Sequence, residues 1–471
     1  KQKYPDKEVL SPGTVIISAS GHCHNISKVV EPVLQVNGDS LYYINLSQDK
    51  PKLGGSSLAQ TLNKIGQDVP CIKDADFFKK AFNGIQHLIS KDLILAGHDV
   101  SSGGLITCIL EMCFADTNIG ADIDLKDFRD FDIIKTLFAE NAGIIIQASN
   151  DAKVEKYLNK LNIDFHKIGR CHRQRFLSIS HGNQEFQFDV AKMRDIWFKT
   201  SYEFDKNQTP EALAKARYEN YKNQSLQYVF PQNFAGKIKS NFKDKPKAAI
   251  LREKGSNSER EMAKAMDLAG FEVKDIHMTD LISGREDLQD IQFLAAVGGF
   301  SNSDVLGSAK GWAGSFLYND KAKMALYNFF ERENTLSLGV CNGCQLFIEL
   351  GLLHPEDDEK PKMLHNDSHK FECQFTSVEI QNNNSVMLSN LGGMKLGIWA
   401  AHGEGKFSFP YAKENYHIVG KYAYDAYPAN PNGSEYNTAM LTDKSGRHLV
   451  MMPHLERSIF PWNWGYYPKE R

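Results

Sequence analysis

Leu336-Ser-Leu-Gly-Val-Cys341-Asn-Gly-Cys-Gln-Leu-Phe-Ile-Glu-Leu350 is the stretch whose reading decides the fold. An apolar, strand-like approach runs into Gly339-Val340-Cys341-Asn342-Gly343, after which Leu346, Phe347 and Leu350 return to helical spacing. Gly-x-nucleophile-x-Gly is the pattern of a nucleophile elbow: a sharp strand-to-helix bend presents the nucleophile, and the glycines leave room where a Cβ would clash. Such a bend puts Cys341 at a helix N-terminus. The helix dipole and unpaired N–H groups there favour the thiolate, the form that attacks carbonyl carbon. Cys341 and Cys344 also spell Cys-x-x-Cys, the spacing of dithiol redox pairs and of half a zinc site. A zinc site needs a second ligand pair, and Cys23, Cys71, Cys108, Cys113, Cys171 and Cys373 form no second such motif. A redox pair does not require glycine on both sides of its first cysteine, and a merely buried cysteine leaves both glycines unexplained.

Working outward, the residues from Lys247 alternate between short apolar runs and amphipathic ones. Strands are predicted at 248–251, 271–276, 293–297 and 337–340, with helices at 259–269 and 321–331. Strands alternating with helices imply a parallel sheet, whose ligands gather at the carboxyl ends of the strands. Gly298-Gly299 and Cys341 both fall at such ends, so one N–H near Gly299 and one from Asn342 are candidate donors to an oxyanion. A thiolate in acyl chemistry also needs a base that protonates the leaving group, and that base needs an orienting carboxylate. The histidines after the elbow are His354, His365, His369, His402, His417, His448 and His454. His454 stands out because it follows the apolar run Leu449-Val-Met-Met452 and Pro453, with Glu456 two residues on. On an extended segment those two positions share a face. Cys341, His454 and Glu456 are therefore the expected catalytic triad.

The first part of the chain mixes strands and helices. Strands are expected at 14–19, 41–46, 93–96, 143–147, 176–179 and 186–188, and helices at 58–62, 77–89, 105–113 and 152–161. Gly97-His-Asp-Val-Ser-Ser-Gly-Gly104 forms a second glycine-rich turn before a helix. Its hydroxyls and N–H groups suit phosphate, and Asp99 suits a divalent ion; ordinary helix capping is the competing reading. In Gly21-His22-Cys23-His24 only the two histidines can share a face, and without a third ligand the run is read as a loop. Residues 204–246 are rich in Asn, Gln, Lys and Tyr and punctuated by Pro210, Pro231 and Pro246, with one helix at 211–221. They read as a linker between a domain at 10–203 and one at 247–471.

Composition narrows the function classes. At 471 residues the chain can bury two or three cores, and 42% hydrophobic with 11% aromatic residues is globular. Lys+Arg 55 against Asp+Glu 58 leaves a net charge of -3, so no basic field argues for nucleic acid. Apolar runs stay short of the roughly 18 residues a membrane helix needs. Eight scattered cysteines suit a reducing cytoplasm rather than a disulfide scaffold. The chain opens Lys1-Gln-Lys-Tyr4 with no initiator Met, and is expected to be part of something longer.

Gly339-Val-Cys-Asn-Gly-Cys-Gln345 together with Pro453-His-Leu-Glu-Arg457 resembles the class I glutamine amidotransferases. Leu251-Arg-Glu-Lys-Gly-Ser-Asn257, Gly298-Gly-Phe-Ser-Asn-Ser-Asp-Val-Leu-Gly307, Ala401-His-Gly-Glu-Gly405 and Tyr427-Pro-Ala-Asn-Pro-Asn-Gly-Ser434 narrow the likeness to the glutaminase domain of the large, single-chain phosphoribosylformylglycinamidine synthases of purine biosynthesis. Gly97-His-Asp-Val-Ser-Ser-Gly-Gly-Leu105 is similar to a loop of that family's second synthetase repeat, with Ser102 where the family has Asp. The resemblance implies a flavodoxin-like α/β amidotransferase domain preceded by an α+β domain like the C-terminal part of aminoimidazole ribonucleotide synthetase. It implies Gln345 and His402 as glutamine-recognising residues, Ser101 for nucleotide and Asp99 for magnesium, with ATP/ADP and Mg2+ as cofactors. It further implies an ATP-dependent ligase that joins nitrogen from glutamine to formylglycinamide ribonucleotide, the latter bound mainly by an N-terminal remainder of the same enzyme. This chain alone is then expected to hydrolyse glutamine slowly. The rival reading is a stand-alone cysteine hydrolase on the same scaffold.

Overall fold

The computed structural model describes residues 2–4, 7–9, 16–23, 25–115, 118–223, 226–232, 244–424 and 426–468. They divide into two compact units, Lys1–Trp197 and Phe198–Arg471.

The first unit is α+β. Its seven-stranded sheet runs Ile94–Val100, Gly143–Ala148, Leu41–Asn45, His166–His172, Gly120–Asp124, Phe176–His181, Gln184–Asp189. All neighbours are antiparallel except Gly120–Asp124 with Phe176–His181. Alternate side chains of Leu41–Asn45 enter separate cores, because successive residues on a strand face opposite ways. Tyr42 and Ile44 pack with residues of the helices Ala75–Ser90 and Asp151–Lys160, whereas Leu41 and Tyr43 pack with residues of Gly104–Phe114. That double burial explains the unbroken apolar run. The expected strand at 14–19 is absent over its described part: Ile16 and Ile17 are 86% and 87% exposed and join no sheet, while Thr14 and Val15 lie outside the described residues. β-Branched residues favour a strand only where a half-buried surface receives them. The strand expected at 93–96 extends to Val100, so His98 and Asp99 lie on it rather than in the turn.

The second unit is built on a nine-stranded sheet. Its order is Glu272–His277, Lys247–Arg252, Phe293–Ala296, Leu336–Val340, His448–Met451, Thr438–Thr442, His417–Tyr422, Glu372–Ile380, Lys395–His402. The first five strands are parallel and the last four extend the sheet antiparallel. Helices Glu259–Ala269, Lys310–Leu317, Asp320–Glu331 and Asn342–Glu349 contribute Met262, Trp312, Phe316, Phe329 and Phe347 to the core around the sheet, each at most 1% exposed. Sheet order fixes the site: Phe293–Ala296, Leu336–Val340 and His448–Met451 are immediate neighbours, and their carboxyl ends lead into Gly298-Gly299, Cys341 and His454.

The stretch read as a linker holds the end of the helix Val190–Asp205 and the helix Glu211–Asn220. Arg217 donates to Asp205 at 3.0 Å and to Glu372 at 2.6 Å, and also reaches the Tyr427 hydroxyl. Val229 bridges to Lys395, and Phe230 stacks on Trp464. These contacts clasp the segment to the antiparallel half of the second unit.

The elbow depends on close backbone approach. A Cβ on Gly343 would lie 2.0 Å from the Ala296 carbonyl oxygen, and one on Gly339 2.6 Å from the Gly343 carbonyl oxygen. Gly343→Ala therefore has to push the helix off the neighbouring strand. It is expected to cost about 1–3 kcal/mol and to lower the calorimetric unfolding temperature of the second unit; an unchanged midpoint would refute the close approach.

Candidate active site

Cys341 sits between the strand Leu336–Val340 and the helix Asn342–Glu349 with φ 51° and ψ −105°, a conformation unfavourable for any residue but glycine. Two backbone bonds hold it: its N–H donates to the Met451 carbonyl at 2.9 Å, and its carbonyl accepts from Gln345 N–H at 3.0 Å. The side chain is 6% exposed.

His454 enters from the next strand, its N–H donating to the Trp399 carbonyl at 2.8 Å. Its Nδ1 lies 2.7 Å from Glu456 Oε1, and the two side chains are 2% and 0% exposed. Extended spacing does not bring them together, contrary to the sequence expectation. After an extended His454, the residues Leu455–Arg457 form a 3-10 turn, and this turn folds the carboxylate back on the ring. His454 also hydrogen-bonds the Cys341 side chain. Gly298 is the floor on which both pack, since a Cβ there would meet His454 Cε1 at 2.8 Å and Cys341 Cβ at 3.4 Å. Burial disfavours the imidazolium of His454, but the charge and hydrogen bond of Cys341, with the bond and charge of Glu456, outweigh it and push its pKa up to about 10. Burial likewise works against the Glu456 carboxylate, and its bond to His454 reverses the sign and holds it below the usual range. The three residues form one buried proton-sharing unit.

The expected oxyanion donors lie beside the thiol. Gly299 has φ 121° and bridges to Ser256. The bridge is made by Asn257 N–H to the Gly298 carbonyl at 2.8 Å and Phe300 N–H to the Gly255 carbonyl at 2.9 Å, which leaves the N–H of Gly299 itself out of the pairing. Asn342 opens its helix, so its N–H has no intrahelical acceptor. Its side chain is engaged elsewhere. Asn342 Oδ1 accepts from Ser301 N–H at 3.2 Å, and Nδ2 donates to Gln345 Oε1 at 2.9 Å. Gln345 in turn donates to the Glu404 carbonyl at 2.6 Å and is 5% exposed. Gln345 thus ties the elbow helix to the loop after His402.

A cavity of about 130 Å³ opens over the thiol, with Gln345, His402, Asp304, Glu404 and Arg457 in its wall. His402 is 2% exposed, and neither ring nitrogen has a hydrogen-bond partner among the described residues. Burial, helped by the charge of His454, drives its pKa down to about 3, so the ring is neutral. Asp304, Glu404 and Arg457 were not singled out from the sequence as site residues. They lie inside motifs that were, but no spacing rule says which carboxylate of a turn faces a cavity.

In the first unit Asp99 is 79% exposed at its side chain, with His98 Nδ1 3.5 Å from Oδ1. Among the described residues no group of three or more His, Cys, Asp or Glu side chains is arranged to hold a metal ion. Asp99 therefore offers one carboxylate ligand, short of a metal cage. Ser101 is exposed and its carbonyl accepts Gly104 N–H at 3.0 Å. Glu140 Oε1 accepts Gly103 N–H at 2.8 Å and Ser57 N–H at 2.7 Å, so one carboxylate already joins this turn to the turn Gly54-Gly55-Ser56-Ser57. His22 and Cys23 lie in an exposed loop, and His24 lies outside the described residues.

Comparison with known proteins matches residues 245–471 to the CobB/CobQ-like glutamine amidotransferase domain and residues 36–180 to the C-terminal domain of AIR synthase related proteins. A probable phosphoribosylformylglycinamidine synthase of Arabidopsis thaliana, chloroplastic/mitochondrial, is 38% identical over 99% of this chain and 35% of its own length. Phosphoribosylformylglycinamidine synthase of Homo sapiens is 36% identical over 98% of this chain and 37% of its own. A solved PurLQS structure from Thermotoga maritima is 28% identical, with a TM-score of 0.40, covering 47% of this chain and 93% of that one. The chain spans 35–38% of the length of the curated relatives it matches first. No described helix is long and apolar enough to cross a membrane.

The proton-sharing unit has a direct signature. His454 is expected to stay protonated through neutral pH and to titrate near 10 by NMR, and Cys341→Ala, which removes the largest charge favouring the proton, is expected to move that titration downward. Because the folded value lies above 6.5, the associated stability is complete below 6.5 and is lost as pH rises toward 10. Wild type should then lose stability on this alkaline limb more steeply than Cys341→Ala. Identical titrations would refute the coupling.

Proposed function

We propose that this chain, a homologue of part of the phosphoribosylformylglycinamidine synthases, is a glutaminase that feeds ammonia to an ATP-dependent carbon–nitrogen ligase reaction. The observation that carries the reading is the left-handed bend at Cys341 set against the buried pair of His454 and Glu456. Cys341, as thiolate, attacks the side-chain amide carbon of glutamine. N–H groups of Gly299 and Asn342 take the negative charge that develops on the amide oxygen. The His454 imidazolium gives its proton to the departing nitrogen, ammonia leaves, and a thioester remains on Cys341. Neutral His454 then takes a proton from water as it attacks the thioester, and glutamate leaves as the thiolate and imidazolium return. Glu456 accepts from Nδ1 and keeps Nε2 turned to the thiol. His402 faces the bound amide, and Gln345 holds the loop that closes over it.

In the complete ligase the ammonia converts formylglycinamide ribonucleotide to formylglycinamidine ribonucleotide, with ATP going to ADP and phosphate. Magnesium-bound ATP, when present, supplies the phosphate that turns the amide oxygen into a leaving group. Asp99 would be one carboxylate ligand to that magnesium and Ser101 a hydroxyl toward the nucleotide, with phosphate oxygens and water as further ligands. All eight cysteines are free, which agrees with a cytoplasmic setting.

In the complete enzyme Cys341→Ala is expected to abolish glutamine-dependent synthesis while ammonia-dependent synthesis survives. Equal loss of both would overturn the proposal. In this chain His454→Ala should slow glutamine hydrolysis by roughly 10²–10⁴-fold.

A further inference from the structure

We infer that Arg217 and Asp205 are positioning residues for glutamine hydrolysis: through Glu372 and Lys370 they fix the outer strand pair of the large sheet, which carries one wall of the site over Cys341. The amidotransferase match begins at residue 245, so both residues lie outside it, in the stretch read as a linker. The inference rests on the glutaminase reading and adds to it a part of the chain which that reading leaves out.

The strands Glu372–Ile380 and Lys395–His402 supply the site at three points. The Trp399 carbonyl accepts the His454 N–H at 2.8 Å, the Ala401 carbonyl oxygen lies 3.7 Å from Cys341 Sγ, and Phe371 and His402 stand in the cavity wall. Yet this pair is the outer end of the sheet. Glu372–Ile380 meets its inner neighbour His417–Tyr422 at Val378, Glu379 and Ile380, and from Glu372 to Thr376 no further strand pairs with it on that side among the described residues. A strand end with one partner opens more readily than one with two. The loop 427–430 stands where the missing partner would be: the Gln374 side chain donates to the Pro428 carbonyl, and Thr376 Oγ1 donates to the Ala429 carbonyl at 3.1 Å.

The helix Glu211–Asn220 locks that loop to the strand end. Asn220 Nδ2 donates to the Tyr427 carbonyl at 2.8 Å, and the Arg217 guanidinium lies 4.7 Å from the Tyr427 ring centre. Arg217 turns Nη1 to Asp205 at 3.0 Å and Nη2 to Glu372 Oε2 at 2.6 Å, while the Tyr427 hydroxyl donates to Glu372 Oε1 at 2.7 Å. Burial and that bond push the Tyr427 phenol up, so it stays protonated and donating. Lys370 grips the same Asp205. Lys370 and Glu372 flank Phe371 in sequence, so holding both of them aims the ring between them, 6.1 Å from the Phe300 ring beside Gly299. Glu372 is also the residue paired with His402 across the two strands. Asn366, fully buried, carries the hold onward: it donates to the Lys370 and His402 carbonyls at 3.0 and 2.7 Å and accepts Gly405 N–H at 3.1 Å. Two carboxylates and two cations, each at most 30% exposed at the side chain, add little net stability, because desolvation offsets their attraction. What a planar guanidinium fork does supply is direction. A tether needs no such cluster, whereas a wall that must sit close to the reacting groups does.

The test measures glutamine hydrolysis by the full 471-residue chain, together with its calorimetric unfolding midpoint and the rate at which iodoacetamide alkylates Cys341. Arg217→Met is expected to lower kcat/KM for glutamine roughly 10- to 100-fold well below its own midpoint, the scale set by about 1 Å of misplacement. Alkylation should stay within about twofold of wild type, because the elbow itself is held by Gly343 and by Met451. Arg217→Lys keeps the charge without the fork and should recover part of the loss. Tyr427→Phe keeps every charge of the cluster and should show a smaller loss of the same kind, which reads the inference even where Arg217→Met does not fold. Lys274→Met breaks the pair with Glu286 on the opposite edge strand and should leave turnover unchanged. Unchanged kcat/KM in the Arg217 and Tyr427 variants would overturn the inference. So would alkylation that falls in parallel with turnover, since the cluster would then support the elbow rather than the wall. A wild type that releases no glutamate, and whose Cys341 glutamine does not protect from iodoacetamide, would refute the glutaminase reading itself and the inference with it.

Discussion

The left-handed backbone at Cys341 is the constraint on which the second unit depends. A non-glycine residue at φ 51° persists only when its neighbours leave it no relaxed alternative. Here the alternatives are removed by a helix packed onto the sheet through Gly343, by Gly339 beneath that glycine, and by a bond from the Cys341 N–H to Met451 on the adjacent strand. The energy that holds the bend comes from the core around it, where Phe347, Trp312 and Phe329 are almost completely buried. The outcome is a thiol aimed out of the carboxyl edge of a parallel sheet, at the N-terminus of a helix.

Everything else in the site is arranged around that thiol by sheet order. The strand on one side ends in Gly298, whose missing side chain is the space the imidazole occupies, and the strand on the other ends in His454. A buried ion pair is a poor source of stability because desolvation offsets its attraction. The shifts of His454 and Glu456 in the charged direction, against their burial, therefore mark a group arranged for chemistry. Cys344 is the contrast: fully buried on the same helix, its thiol is driven well above its usual pKa by desolvation, and it serves as packing rather than as a redox partner.

Legibility varied with how much a segment depends on distant partners. The helix Glu259–Ala269 and the glycine that caps it were readable to the residue, because amphipathic period and a left-handed cap are local properties. Gly120–Asp124 and His166–His172 were missed, since each holds a single isoleucine among small and charged residues and their strand character comes from neighbours in the sheet. Ile16 and Ile17 erred in the other direction: strand-forming residues without a sheet to join. The antiparallel half of the large sheet followed no alternating rhythm. The stretch at 204–246 was legible as a linker packed on its neighbours, but not which neighbours, because Arg217 shows its partners Asp205, Glu372 and Tyr427 only in the folded chain.

The sequence by itself determined the candidate triad: a cysteine between two glycines, a histidine after an apolar strand, and a glutamate two residues further on. Those are local, since a glycine-flanked bend and a strand end are specified by adjacent residues. Only the tertiary structure decided how they meet. A 3-10 turn, not extended spacing, returns Glu456 to His454, and Gln345 uses both ends of its amide within the protein. Asp304, the segment His402–Glu404 and Arg457 come from three separate parts of the chain, and that they line one cavity is set by the packing of strands far apart in the chain.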